Sequence, residues 1–129
     1  MLKQAKADGI KSVRVHILLD GRDVPATSAP VYVEQLENAL AELNDDTFSG
    51  KIASGGGRMK ITMDRYEADW NMVKLGWDTH VKGIGRQFSS AIEAINTYRS
   101  ENADVIDQDL PPFVIAENGT PVGAINNKD

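Results

Sequence analysis

The sequence predicts an α/β domain, with helices layered on a mainly parallel, mixed sheet. Three observations carry that expectation. Residues 13–19 form a near-continuous β-branched and apolar run, the pattern of a strand buried on both faces of a parallel sheet. Val33, Leu36, Leu40 and Leu43 recur at i, i+3, i+7 and i+10, the apolar stripe of an amphipathic helix. Residues 48–54 are a second strand-like segment, so strands and helices alternate as they do in layered α/β folds.

The remaining elements follow in chain order. Residues 3–8 read as a helix end, with Gly9 as its stop. Pro25, Thr27, Ser28 and Pro30 make a turn and a helix start, with a hydroxyl cap and proline in the first turn. Residues 44–47 terminate that helix, and the second strand runs into Gly55-Gly56-Gly57. Trp70, Val73 and Trp77 mark a helix over roughly residues 66–80, with both tryptophans expected in the core. Gly83 and Gly85 break the chain before a third helix, marked by Phe88, Ala91, Ile92 and Ile95 and ending near Ser100. Pro111 and Pro112 introduce a short strand at 113–116, and Asn118-Gly119 is a turn signal after which residues 121–125 return as a hairpin partner. A helix end at the start and a run-in to another element at 125–129 suggest one domain, 1–129, cut at both ends.

Composition bounds the function. The 129 residues are 41% hydrophobic and 26% charged, an ordinary globular balance. A net charge of −5 argues against non-specific nucleic-acid binding. No apolar run approaches the roughly 20 residues of a membrane span, and the N-terminus lacks a signal peptide's apolar core. Cysteine is absent, which removes disulfides, thiolate metal sites and cysteine nucleophiles and fits a reducing, cytoplasmic setting.

Against that acidic background, two corners concentrate charge. Asp20-Gly21-Arg22-Asp23 ends the first strand, and Ser54-Gly55-Gly56-Gly57-Arg58 ends the second, with Met63-Asp64-Arg65 soon after. In open α/β sheets, ligands bind outside the carboxyl ends of strands. A guanidinium fork suits phosphate or carboxylate, and Asp23 beside Arg22 could hold a substrate hydroxyl or take its proton. Each feature also has a plain structural reading. Asp20 and Asp23 could cap the following turn and pair with Arg22. The triple glycine could be an anion-binding nest or only a flexible turn, and it lacks both the P-loop and the dinucleotide fingerprints. Arg58 and Arg65 could clamp an anion or merely form surface pairs. His16 reads as a hydrogen-bonded core residue, and His80 as a cation at a helix end. Two histidines far apart in the sequence, without a carboxylate cluster, make a metal site within this chain improbable.

Taken together, Leu19-Asp20-Gly21-Arg22-Asp23-Val24-Pro25, Ser54-Gly55-Gly56-Gly57-Arg58, Met63-Asp64-Arg65-Tyr66 and Asp69-Trp70 resemble the cofactor-independent phosphoglycerate mutases. The likeness covers essentially the whole chain and extends into Pro121-Val122-Gly123-Ala124-Ile125. The spacing from Arg58 to Arg65 is similar to the plant and kinetoplastid branch.

The resemblance implies the inserted substrate-binding domain of a two-domain isomerase of glycolysis and gluconeogenesis. It implies a metal-bearing domain of alkaline-phosphatase type elsewhere, with two manganese or other divalent ions and a serine that becomes phosphorylated. It also implies that the enzyme is a cytoplasmic monomer acting on a small molecule, without nucleic acid or membrane. Residue by residue, Arg22 and Asp23 would contact the glycerate, Asp23 would handle protons at its hydroxyls, and Arg58 and Arg65 would bind its carboxylate or phosphate. This chain shows no metal-ligand set, no nucleophilic serine motif and no upstream substrate-contacting histidine, so alone it is expected to be inactive. The competing readings are a non-catalytic phosphate- or carboxylate-binding α/β module, and a structural domain whose arginines only brace loops.

Overall fold

The computed structural model describes residues 1–63 and 69–129. In order the elements are α1 (Leu2–Ala7), β1 (Ser12–Leu19), α2 (Ala29–Leu43), β2 (Ser49–Gly57), α3 (Trp70–His80), β3 (Arg86–Phe88), α4 (Ala91–Glu101), β4 (Phe113–Glu117) and β5 (Thr120–Pro121). A 3₁₀ turn, Asp107–Asp109, lies between α4 and β4. The strands form one mixed sheet in the order β1-β2-β4-β3, with β5 paired to β4. The longest ladder is the parallel one between β1 and β2, and β3 is also parallel to β4. The expected α/β architecture is therefore present.

Side-chain patterning explains how the layers close. Val33 and Leu40 of α2 and Ala91, Ala94, Ile95 and Tyr98 of α4 are buried in one cluster with Leu19, Ile52, Leu110, Phe113 and Ile115. Phe88 of β3 joins that cluster, stacking edge-on against Tyr98 and Phe113. The turn at Asn118-Gly119 has φ of 53° and 78°, the two left-handed residues that a two-residue hairpin requires.

Several elements differ from expectation. β1 is an edge strand whose residues 13–17 are only half-buried, because it pairs with β2 alone. The triple glycine is not a loop. Gly55, Gly56 and Gly57 are the buried last residues of β2. A Cβ on Gly55 would lie 2.6 Å from both Ile17 Cγ1 and Phe113 Cζ, and one on Gly57 would lie 2.3 Å from the Gln108 carbonyl oxygen. These glycines permit close packing and do not form a nest.

Trp70 and Trp77 are 65% and 58% exposed and are not core residues. α3 docks through its small residues Gly76 and Thr79, with Gly76 close against Thr62. Trp70 lies about 180° around the helix from Thr79, which carries it away from the contact. The third helix begins at Ala91, and the residues before it form β3. The return after Asn118-Gly119 is only two residues long as a strand.

Candidate functional site

The parallel β1–β2 ladder determines where the charged corners lie. Leu19 pairs with Gly57 at the carboxyl ends of both strands, and the Arg58 N–H donates to the Leu19 carbonyl at 2.9 Å. The Asp20 corner and the Arg58 corner therefore emerge side by side. Asp20 folds back on its own loop. Its Oδ1 accepts from the Arg22 N–H and its Oδ2 from the Asp23 N–H, both at 3.1 Å. This is the local side-chain-to-backbone turn that aspartate favours.

The ion pairing runs between the corners and not within one. Arg58 Nε lies 3.1 Å from Asp20 Oδ1, and Arg58 Nη1 lies 3.9 Å from Asp23 Oδ2. Burial pushes the Asp20 carboxyl up. The N–H groups of Asp23, Gly21 and Arg22 and the Arg58 charge outweigh it and hold the pKa below the usual value. Asp20 is thus an ionised brace for Arg58.

Asp23 is 86% exposed, and the exposed Arg22 has no side-chain partner among the described residues. An apolar cleft lined by Leu18, Leu19, Val24, Ala29 and Tyr32 opens beside Asp20. The structure therefore brings Asp23 and Arg58 together and places Arg22 on the same loop as Asp23. Arg65 lies outside the described residues. Sequence reasoning did not assign Asp20 its bracing role, although its place directly before Gly-Arg-Asp was the available signal.

The reading in which the acids of the first corner cap residues 25–28 and pair with Arg22 does not hold. Asp20 does cap its own turn, but the start of α2 takes its cap from elsewhere. Ser28 Oγ donates to the Pro25 carbonyl, and the Ala29 N–H is taken at 2.7 Å by Oδ2 of the buried Asp107.

The two histidines form a second polar cluster. Their rings are edge-on with centroids 5.4 Å apart, and each Nδ1 lies 2.7 Å from Ser54 Oγ. A register shift between Val15 and His16 sets Ser54 opposite His16. A hydroxyl has one proton to give, so at most one ring accepts from Ser54 and at least one donates its Nδ1–H to it. Burial lowers the pKa of His16. Burial and then His16 lower that of His80. His80 is thus a neutral partner in this cluster and not the expected helix-end cation, and residues distant in sequence are adjacent in space. Among the described residues no three His, Cys, Asp or Glu side chains gather as metal ligands do. Nor is any described helix long and apolar enough to cross a membrane.

Residues 1–129 match the family described as the BPG-independent PGAM N-terminus. The chain belongs to this family. A "Probable 2,3-bisphosphoglycerate-independent phosphoglycerate mutase" of Leptospira interrogans serogroup Icterohaemorrhagiae serovar Lai is 57% identical over 129 residues, covering 100% of this chain and 24% of that protein. The 2,3-bisphosphoglycerate-independent phosphoglycerate mutase of Trypanosoma brucei brucei is 51% identical over 130 residues, with the same coverage of each. A crystal structure of Leishmania mexicana phosphoglycerate mutase at low cobalt concentration superposes with a TM-score of 0.96 at 46% identity, covering 99% of this chain and 24% of that one. The chain thus spans about a quarter of the length of these phosphoglycerate mutases. Because the relatives are named as enzymes, the non-catalytic binding-module reading is not favoured.

Proposed function

We propose that this chain is the substrate-holding domain of a 2,3-bisphosphoglycerate-independent phosphoglycerate mutase, which interconverts 3-phosphoglycerate and 2-phosphoglycerate in glycolysis and gluconeogenesis. One observation carries the reading: the carboxyl ends of β1 and β2 lie in register, and Arg58 reaches across to Asp20 and Asp23. Two strand ends then present guanidinium groups to one small anion.

In this reading the phosphoryl group passes to a serine of a second domain and returns to the other hydroxyl of the retained glycerate. Phosphoryl transfer asks the protein mainly for positioning and charge neutralisation. Arg22 and Arg58 supply both through charge-assisted, forked hydrogen bonds, and Arg65 is assigned to the same carboxylate or phosphate. Asp23, exposed at the loop tip, holds the glycerate hydroxyl and exchanges its proton. The Asp20 carboxylate, 3.1 Å from Arg58 Nε, offsets the Arg58 charge and orients its guanidinium. Two manganese or other divalent ions in the second domain supply nucleophile activation and phosphate polarisation. Closure of the two domains would exclude water and protect the phosphoenzyme from hydrolysis. A monomeric, cytoplasmic enzyme completes the reading.

In the complete enzyme, Arg58→Ala raises KM for 3-phosphoglycerate by roughly 10-fold or more, as loss of a hydrogen bond to a charged group implies. Steady-state kinetics check this, and unchanged kinetics would remove Arg58 from the site. The 129-residue chain alone shows no interconversion of the two phosphoglycerates. Turnover above background would overturn the division of labour.

A further inference from the structure

Asp107 is a carboxylate with no solvent exposure, in a chain where a serine was available to cap α2. Burying a charge is costly unless it is fully paired, and in some proteins such groups fix one arrangement instead of adding stability. The partners of Asp107 show which arrangement. Its backbone N–H donates to the Ala26 carbonyl at 2.8 Å, and its Oδ2 accepts from the Ala29 N–H at 2.7 Å. Its Oδ1 accepts from Arg99 Nη2 at 2.5 Å, and the same nitrogen donates to the Thr27 carbonyl at 3.0 Å. Three of these four bonds land on the limb that follows Arg22 and Asp23, and the fourth ties Arg99 of α4 to Asp107.

The other end of the turn holds the second corner. The Gln108 carbonyl accepts from the Met59 N–H at 3.0 Å, and the Leu110 carbonyl accepts from the Gly57 N–H at 2.8 Å. Arg58 is therefore gripped on both sides by one short segment, which the missing side chain of Gly57 lets approach so closely. The Arg58 N–H to Leu19 bond closes the loop from the second corner back to the first.

We propose that the segment from Asp107 to Leu110 is the positioning bracket of the anion clamp, with Asp107 and Arg99 as its positioning residues. By holding the Ala26–Ala29 limb and the Gly57–Met59 corner together, the bracket sets the separation of Arg22 and Asp23 from Arg58. This rests on the substrate-holding reading above. Misplacement of substrate-holding groups by as little as about 1 Å is enough to cost up to roughly 100-fold in rate, so a bracket remote from the ligand has a kinetic signature.

The test measures KM and kcat for 3-phosphoglycerate in the complete enzyme, with thermal unfolding in parallel, for Arg99→Ala, Arg99→Lys, Asp107→Asn and Arg58→Ala. The expected result is a KM raised roughly 10-fold in Arg99→Ala and Asp107→Asn. Arg99→Lys, whose ammonium can still bridge Asp107 and Thr27, largely restores it. Arg99 is partly exposed, so its variants carry the test if Asp107→Asn does not fold. A lowered melting temperature with KM unchanged in Arg99→Ala and Asp107→Asn, while Arg58→Ala does raise KM, would overturn the bracket and leave the clamp standing. Unchanged KM in Arg58→Ala would overturn the clamp itself, and the bracket with it.

Discussion

On the proposed reading the Arg58 guanidinium receives an anion, and the Asp20 carboxylate 3.1 Å from its Nε orients it. Two of the contacts to Asp20 are backbone N–H groups of its own loop, so the carboxylate is held by its own turn as well as by Arg58. At the same scale, the His16–Ser54–His80 cluster makes a prediction about pH. Both rings have pKa values lowered from 6.5 by burial, so the unfolded chain binds protons that the folded one refuses. Stability from this pair is complete above the unfolded value, near 6.5. It is lost as pH falls through the depressed folded values. The carboxylates lowered from 3.8 or 4.5, Asp20 and Glu93 among them, act in the same direction but in a more acidic window. Urea midpoints should therefore fall between pH 7 and pH 5.5, and His80→Gln, which keeps a hydrogen-bonding side chain without the titration, should flatten that slope. A midpoint independent of pH in this range would contradict the cluster.

At the scale of elements, the parallel ladder and its glycines decide the geometry. Gly55→Ala should destabilise the chain by about 1–3 kcal/mol, since its methyl would press on Ile17 and Phe113 within the sheet. Chemical denaturation measures this directly, and a neutral substitution would mean the contact relaxes without cost. Strands, helices and the 118–119 turn were legible because each obeys a local rule of periodicity or backbone conformation. The course of the triple glycine was not, because glycine marks a turn and a tight sheet contact equally well. β3 was hidden because Arg86-Gln87-Phe88 is too short to show alternation. The tryptophans misled because apolar spacing states which residues share a face and not which face is covered. The cap on Ala29 comes from a side chain 78 residues away, beyond any local pattern.

Across the whole molecule, the candidate site is a product of topology. Arg22, Asp23 and Arg58 were legible as residue types at strand ends, but the meeting of Asp23 with Arg58 depends on β1 and β2 being parallel neighbours in register. An antiparallel pairing would have put the two corners at opposite ends of the sheet. On the proposed reading, this topology gathers charge to hold an anion, and the residues that carry the phosphoryl group lie on a second domain. The structure of the complete enzyme bound to 3-phosphoglycerate tests the central claim most directly. The account predicts that the guanidinium groups of Arg22 and Arg58 lie within hydrogen-bond distance of the same bound molecule. Substrate seated away from both strand ends, with Arg58 still turned only toward Asp20 and Asp23, would contradict it.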